Sequence, residues 1–294
     1  MTSGLAGVRL LRARDAGGRI YVGLVRDGEL SVLATDDVVS VLETGELPAI
    51  LERVPIIDDE TCELEQPWTL VCPLVAPEVW AAGVTYERSR TARMHESDQA
   101  DIYDRVYDAE RPELFIKDTA GRRTVGPGEE IAARADAMWT VPEPELAIVL
   151  GAGARPLAVT IGDDVSSRDI EGANPLYLPQ AKVYARACAL GPALLVPENW
   201  ATPFEIELRI FDADGGLLFA GETSTANMRR SFNELISYLR RENTLAAGTV
   251  LLTGTGVVPP DEICLSTGHI VEIHIPGIGT LRNTVATATS PADV

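Results

Sequence analysis

The sequence lacks the features that mark membrane and secreted proteins. No apolar run reaches the about 18 uncharged residues that a membrane-spanning helix requires. The first residues show no basic start followed by an apolar run, which is the pattern of a signal peptide. The four cysteines are scattered without a CxxC pair, which argues against a disulfide framework and a thiolate zinc site. We therefore expect a cytoplasmic protein with free thiols.

Basic residues are also scarce. The chain has 25 Lys and Arg against 44 Asp and Glu, a formal net charge of −19. An acidic surface repels phosphate backbones and anionic lipids, so we expect neither nucleic acid nor a membrane as a partner. An acidic protein that handles an anionic small molecule must concentrate positive charge locally, with a metal ion or a few placed Arg and Lys side chains.

Short apolar runs separated by turns dominate the chain and favour an α+β fold in which strands prevail. Residues 19–25 and 29–33 flank an Asp-Gly pair at 27–28, which is a strong hairpin signal. Residues 1–70 are predicted to form a small β-rich N-terminal lobe. Residues 71–294 are predicted to form one larger catalytic domain, a size typical of a single domain with its own core.

Strands and one helix are predicted within the larger domain. The helix follows from apolar residues at i, i+3, i+4 and i+7 between Phe232 and Leu239, with Ser231 and Glu234 as a capping box. The clearest apolar strand runs are 146–150, 193–196, 204–211, 249–253 and 270–275.

Residues 86–111 differ from their surroundings because they are strongly charged and only marginally apolar. Such an insertion between strands is typical of a mobile lid over a site. A solvated surface helix explains the same pattern equally well, and the sequence leaves both interpretations open.

A pair of carboxylates precedes the strand at 146–150. Glu143 and Glu145 are two residues apart in an extended segment, so their side chains point to the same side. Hard oxygen ligands of this kind suit Mg²⁺, Mn²⁺ or Ca²⁺. A third ligand could be Asp163 or Asp164, and the spacing does not choose between them. Taken alone, the pair could face solvent, and the two aspartates could belong to a loop of capping residues.

Several segments, in this order and spacing, resemble the fumarylacetoacetate hydrolase family: 143–151, 161–169, 181–182, 190–192 and 248–256. The resemblance covers about residues 76–285. It implies a mixed β-sheet roll with the site at its mouth, and a divalent ion, usually Mg²⁺, on Glu143, Glu145 and Asp164. The family usually has Asn where this chain has Asp163, which places an extra acid next to the metal.

The same resemblance implies roles for three further residues. Arg168 and Lys182 match family positions that face the substrate, and Thr255 lies in a Thr-Gly-Thr loop that contacts the substrate carboxylate. Without the resemblance, Arg168 could simply pair with Asp169, and Lys182 could be a surface lysine.

The hydrolytic members of the family carry a His and a Glu on the lid that activate water. Aligned at Tyr86, this chain has Ser89 and Ala92 at those positions. A positioned base contributes about two to four powers of ten in rate. The loss of both groups indicates a reaction other than hydrolysis.

A closer resemblance links residues 83–90, 101–117 and 168–184 to the 2-keto-3-deoxy sugar-acid dehydratases of the family. It implies conversion of a 2-keto-3-deoxy-pentonate, of the D-arabinonate or D-xylonate type, to 2,5-dioxopentanoate. In the implied mechanism, the metal stabilises an enolate of the keto acid and the C4 hydroxyl leaves.

The implied reaction needs acid and base groups, for which Lys182 and Glu113 are the candidates. Glu113 could instead be a structural partner of a nearby basic residue. Arg88 and Arg90 are expected to close over the polyol end of the substrate. Fumarylacetoacetate or acylpyruvate hydrolysis, oxaloacetate decarboxylation and non-catalytic, metal-dependent binding of a keto acid are the alternatives. The family resemblance also favours a homodimer or homotetramer.

Overall fold

A computed structural model describes residues 5–96 and 100–288 of the chain. Within these ranges, none of the helices combines the length and the apolar character needed to cross a membrane.

The first part of the chain is a β-meander with one helix. Its helix is α1 (Val38–Thr44), capped by the side chain of Asp37, which accepts from the Ser40 amide. Its strands are β1 (Arg9–Arg14), β2 (Ile20–Arg26), β3 (Glu29–Leu33), β4 (Ile50–Asp58), β5 (Glu63–Leu64) and β6 (Thr69–Val71).

The second part alternates strands with short helices. The helices are α2 (Glu87–Glu96), α3 (Ala100–Asp108), α4 (Arg168–Ala173), α5 (Leu178–Lys182) and α6 (Phe232–Leu239). The strands are β7 (Glu78–Gly83), β8 (Glu113–Thr119), β9 (Thr124–Val125), β10 (Glu130–Arg134), β11 (Thr140–Val141), β12 (Pro144–Leu150), β13 (Pro156–Asp164), β14 (Ser166–Ser167), β15 (Cys188–Leu195), β16 (Glu205–Phe211), β17 (Leu217–Ser224), β18 (Thr249–Leu252), β19 (Ile270–Ile275) and β20 (Gly279–Ala288).

One large mixed sheet runs through both parts of the chain. Its main path is β5-β4-β3-β2-β1-β15-β13-β12-β18-β7-β8, and β6 and β9 pair with β1 and β15. The two parts join where β1 pairs antiparallel with β15, with Leu10 opposite Leu194. The boundary expected near residue 70 thus falls within a continuous sheet, and the division into two domains stays a prediction.

A smaller sheet of five strands, in the order β10-β20-β19-β16-β17, packs against the large one. Ile148 and Ile161 of the large sheet share a buried apolar cluster with Leu208 and Ile273 of the small sheet and Leu235 of α6. A second cluster covers the other face of the large sheet beneath α1. Burial of apolar side chains in these two layers holds β12 and β13 rigidly between them.

The predicted local elements are confirmed. Strands β2 and β3 form the expected hairpin, and Asp27 and Gly28 both adopt positive φ, as a tight two-residue turn requires. Helix α6 begins after Ser231, whose Oγ accepts from the Glu234 amide at 3.2 Å. Five strands, β12, β15, β16, β18 and β19, coincide with the five apolar runs, so the strand-dominated α+β fold is confirmed.

Candidate metal and substrate site

The first strand pair that builds the site is β12 with β13. These strands run antiparallel, and the Asp164 amide donates to the Glu143 carbonyl at 3.0 Å. Glu143 and Glu145 share one face of the extended chain, and Asp164 lies opposite Glu143 on the same face. The sheet register therefore brings the three carboxylates together, although 19 residues separate Glu145 from Asp164 along the chain.

The three carboxylates form a buried group of acceptors. One oxygen atom from each of Glu143, Glu145 and Asp164 lies within 4.8 Å of the other two. Burial, with the charges of Asp164 and Glu143, raises the pKa of Glu145 well above its ordinary value. A cation among these oxygens relieves both the repulsion and the desolvation, and three carboxylates suit a hard divalent ion. The residues present therefore fit Mg²⁺.

The choice between the two aspartates is decided by the alternation of β13. Asp163 points away from the three carboxylates, and its Oδ1 accepts from the Glu143 amide at 3.0 Å. Its Oδ2 is buried and has no hydrogen-bond partner among the described residues. Both aspartates end a strand, where the sequence also allowed a loop of capping residues, and Asp164 is the one that joins the two glutamates.

Lys182, at the end of α5, lies against the carboxylates. Its Nζ donates to Glu143 Oε2 at 3.1 Å, to Asp164 Oδ2 at 2.9 Å and to Ser166 Oγ at 2.6 Å. Burial acts to lower the pKa of Lys182, but the carboxylates of Asp164 and Glu143 outweigh it and raise that pKa. Lys182 is therefore a buried residue of the site, and the alternative of a surface lysine is wrong.

Two further cations, which the sequence did not single out, pair with carboxylates of this group. Lys117, fully buried on β8, pairs with Asp164 Oδ1 and donates to the Val165 carbonyl at 2.9 Å. Arg93, on α2, pairs with Glu143 Oε1. Burial acts to raise the pKa of Glu143, but the cations of Arg93 and Lys182 outweigh it and lower that pKa to about 2.

Helix α2 covers the site through its buried face. Besides Glu143, the Arg93 guanidinium pairs with Glu171 Oε1 of α4 at 3.2 Å and with Glu96 Oε2 of its own helix at 3.2 Å. The Arg168 Nε donates to the same Glu96 oxygen at 2.9 Å, and its Nη1 lies 3.6 Å from Glu143 Oε1. Arg168 is thus paired with Glu96 of α2, whereas Asp169 accepts from the Met138 amide.

A small cavity lies beside the carboxylates. Two predicted site residues, Glu113 and Thr255, line it together with Lys182, Glu143 and Asp164. Burial and then the charge of Glu171 raise the pKa of Glu113 to about 7. Thr255 is buried, and its hydroxyl donates to the Val257 carbonyl at 3.1 Å. The fold thus brings Glu113 and Thr255, 142 residues apart in sequence, to one cavity.

Arg88 and Arg90 lie apart from that cavity wall. Arg88 is exposed on α2. The Arg90 Nε donates to Asp104 Oδ1 of α3 at 2.8 Å, and its guanidinium stacks on the Tyr107 ring. Their contact with the polyol end of a substrate stays a prediction.

Weak sequence signals marked some of the residues that were missed. Arg93 follows Ser89 by four positions in a segment with helical character, and this spacing places both on one helix face. Lys117 ends an apolar strand run, where an unpaired charge would be costly. No comparable signal separates Glu171 from the other acids of its surroundings, because its neighbour Arg93 lies 78 residues away.

Known proteins resemble this chain in sequence and in fold. Residues 78–286 match the family model described as fumarylacetoacetate (FAA) hydrolase, C-terminal. The chain is 44% identical over 278 residues to a probable 2-keto-3-deoxyxylonate dehydratase of Haloferax volcanii, covering 94% of this chain and 91% of that protein. It is 46% identical over 215 residues to the 2-dehydro-3-deoxy-D-arabinonate dehydratase of Saccharolobus solfataricus, covering 71% of this chain and 72% of that protein.

A solved structure extends the likeness to the whole fold. It is a 2-keto-3-deoxy-D-arabinonate dehydratase complexed with magnesium and 2,5-dioxopentanoate, and it superposes with a TM-score of 0.83 at 38% identity. The match covers 96% of this chain and 100% of that one. The predicted roll of mixed sheets is therefore confirmed.

Proposed function

The chain belongs to the fumarylacetoacetate hydrolase family, and we propose that it is a Mg²⁺-dependent dehydratase converting a 2-keto-3-deoxy-pentonate to 2,5-dioxopentanoate. The observation that carries the proposal is one cavity in which a three-carboxylate group adjoins Lys182 and Glu113, to which we assign the proton transfers. The relatives named as pentonate dehydratases support the same reaction.

The three carboxylates would hold the electrophile. A divalent ion on Glu143, Glu145 and Asp164 would supply Lewis acidity at the keto group and would neutralise the carboxylate charges that raise the pKa of Lys182. Lys182, once unprotonated, accepts the C3 proton of the keto acid. Its Nζ is held in place by Ser166 Oγ at 2.6 Å, so it needs little reorganisation to react.

Glu113 suits the departure of the C4 hydroxyl. A carboxyl group whose pKa is raised to about 7 retains its proton in an appreciable fraction of molecules near neutral pH. It can therefore donate that proton to the leaving hydroxyl, which departs as water. Loss of a C5 proton from the resulting enone and tautomerisation then give the C5 aldehyde of 2,5-dioxopentanoate. Helix α2 closes the cavity on one side and limits the entry of solvent, since Ser89 and Arg93 of this helix line the cavity.

The lid residues favour dehydration over hydrolysis. Ser89, at the position of the hydrolytic His, donates its hydroxyl to the Tyr86 carbonyl at 2.8 Å, and Ala92 has no titratable group. His95 is 77% exposed on α2 and faces Asp261 at 3.8 Å. None of these three residues presents a base to the cavity that could activate water.

Product analysis with purified protein tests the reaction. The protein is incubated with Mg²⁺ and a panel of 2-keto-3-deoxy acids, acylpyruvates and oxaloacetate. We expect a semialdehyde from a pentonate, with the carbon chain intact. Cleavage of acylpyruvates alone, or release of CO₂ from oxaloacetate alone, would replace the dehydratase by one of the alternative activities.

We propose that the enzyme acts as a homodimer or homotetramer in the cytoplasm. The side chains of Met138 and Leu176 are 87% and 83% exposed, and large exposed apolar groups of this kind are commonly covered by a partner subunit. The four free cysteines fit a reducing compartment. Light scattering after gel filtration measures the assembly, and a monomer at micromolar concentration would rule it out.

A further inference from the structure

One buried acid of the cavity takes no direct part in the reaction described above. Glu171 lies on α4, is 4% exposed and lines the cavity, and among the described residues its salt bridge is to Arg93. Its Oε1 is paired with the Arg93 Nε at 3.2 Å. Its Oε2 is buried and has no hydrogen-bond partner among the described residues.

An unpartnered buried carboxylate oxygen is costly. A buried acceptor without a donor loses its hydration without replacement, and the cost is larger for a charged group. Arg93 keeps the Glu171 carboxylate in place through its other oxygen, so the free oxygen cannot turn away to find a donor elsewhere. Glu171 lines the same cavity as Glu113 and Lys182, so a substrate bound between those two groups would lie beside Glu171.

We propose that Glu171 is a specificity-determining residue whose free Oε2 accepts a hydrogen bond from the C5 hydroxyl of the substrate. The inference rests on the proposed function, since it assumes a pentonate in this cavity. It explains how the site distinguishes a hydroxylated keto acid from a plain one of the same length: only the hydroxylated acid satisfies the buried oxygen.

The chemistry of the reaction favours the C5 hydroxyl over the C4 hydroxyl as the hydrogen-bond partner of Glu171. The C4 hydroxyl leaves and must gain a proton, so a carboxylate that accepts its hydrogen would oppose its departure. The C5 hydroxyl keeps its oxygen throughout dehydration, and a hydrogen bond to it does not conflict with the reaction. Glu113, in the same cavity, is the acid available to the C4 oxygen.

Binding of two unreactive keto acids tests the inference without relying on turnover. 5-Hydroxy-2-oxopentanoate carries the C5 hydroxyl, 2-oxopentanoate lacks it, and neither has a C4 hydroxyl to lose. Titration calorimetry in Mg²⁺ gives a Kd for each ligand. The Kd of 2-oxopentanoate divided by the Kd of 5-hydroxy-2-oxopentanoate reports the hydroxyl contact. In solution, the C5 hydroxyl of the free hydroxy acid can close onto its own keto group, which lowers the concentration of the open form. This equilibrium is the same for every protein variant, so it cancels when the ratios are compared.

The wild-type ratio should fall about tenfold in Glu171→Ala, the loss typical of a hydrogen bond to a charged group. The Kd of 2-oxopentanoate should stay within about threefold. Glu171→Gln preserves the shape without the charge and should lose about threefold of the ratio, so it serves if the alanine variant does not fold. Glu96→Gln removes a carboxylate partner of both Arg93 and Arg168 but no cavity-lining acceptor. Any loss of position of these two cations affects both ligands alike, so the ratio should be unchanged.

Two outcomes overturn the inference while leaving the dehydratase intact. One is an unchanged ratio in both Glu171 variants. The other is an equal weakening of both ligands, which would mean that Glu171 serves only to position Arg93. If the wild-type protein binds neither keto acid in Mg²⁺, the proposed function itself fails, and the inference fails with it.

Discussion

At the scale of single residues, the site is a balance of buried charges. Glu143 and Asp164 lie against the cations of Arg93, Lys117 and Lys182. Glu145 accepts only a backbone amide, that of Gly254 at 2.5 Å, among its described hydrogen bonds. Because buried charges are stable only when paired, Glu145 is the ligand that depends most on a bound cation.

Substitution of Glu145 should therefore abolish most of the stabilisation of the folded protein by Mg²⁺. Mg²⁺ at about a hundredfold above its Kd should stabilise the wild-type protein by about 3 kcal/mol. In Glu145→Gln, we expect most of that gain to disappear, while the metal-free variant melts no lower than the wild type because repulsion with Asp164 and Glu143 is relieved. Thermal unfolding with and without Mg²⁺ measures both effects. Glu46→Gln, at an exposed site, is the matched control.

The raised pKa of Glu113 should appear in the pH dependence. The protonated carboxyl is the acid, so kcat should decline as the pH rises through about 7, the pKa given by burial and Glu171. The same shift affects stability: the unfolded carboxyl ionises at a lower pH, so this contribution to folding stability is lost as pH rises from the unfolded value towards about 7.

In Glu113→Gln, the residual kcat should be at least about a hundredfold lower, and its decline near neutral pH should be gone. Steady-state rates across pH 5 to 9, roughly the range over which such a group titrates, measure this. A decline that persists unchanged in the variant would assign the acid to another residue.

Lys182→Ala should separate an enzyme from a keto-acid binding protein. If Lys182 accepts the C3 proton, kcat should fall about 10²- to 10⁴-fold. Mg²⁺ binding should be retained, since the variant removes a positive charge 2.9 Å from a ligand carboxylate. Exchange of the C3 protons of an unreactive keto acid with solvent deuterium, followed by NMR, is the direct measurement. Undiminished exchange would remove Lys182 from this role.

At the scale of elements, helices α2 and α3 give a definite place to residues 86–96 and 100–111, the described parts of the charged segment. The buried face of α2 carries Ser89 and Arg93 onto the cavity, whereas Thr91 lies exposed on its outer side. Helix α2 therefore covers the site. Only its outer face fits the interpretation as a solvated surface helix. Whether the cover opens stays a prediction.

Arg93 should be the residue that holds this cover down. Arg93→Ala leaves Glu143 and Glu171 without a shared cation, and breaking a buried pair costs about 3 to 5 kcal/mol. We expect faster cleavage within residues 87–108 under limited proteolysis, together with a higher KM. Thr91→Ala, on the exposed side of α2, should leave the cleavage rate unchanged. Equal cleavage of the two variants would show that other contacts hold the helix.

At the scale of the whole molecule, the continuous sheet links the two predicted domains. Leu10 of β1 is fully buried in the same cluster as Leu194 of β15 and Val149 of β12. The strands that carry the site are therefore packed against the N-terminal strands. We expect the chain to unfold as one cooperative unit.

Leu10→Ala should consequently destabilise the site as well as the N-terminal strands. A cavity in this cluster costs about 2 to 5 kcal/mol. The temperature of half-inactivation and the midpoint of the circular dichroism transition should fall together. Leu47→Ala, at a partly exposed position, should change neither noticeably. Loss of N-terminal structure while activity persists would instead establish two independent domains.

The sequence by itself determined the local elements and the chemical type of the site. The hairpin at Asp27-Gly28, the capped helix after Ser231 and the five apolar strands depend on neighbouring residues, so their patterns could be read directly. The side-by-side placement of Glu143 and Glu145 also follows from strand alternation alone. Their hard oxygen atoms predict a divalent ion without any knowledge of the fold.

Only the tertiary structure decided which distant residues meet at that site. The register of β12 with β13 selects Asp164 over Asp163, because adjacent residues of a strand point to opposite faces. Arg93 and Glu171 reach the cavity from α2 and α4, and Lys117 of β8 reaches Asp164. No local pattern connects these three residues. Charges that are far apart in sequence are brought together by packing, and packing is a property of the whole chain.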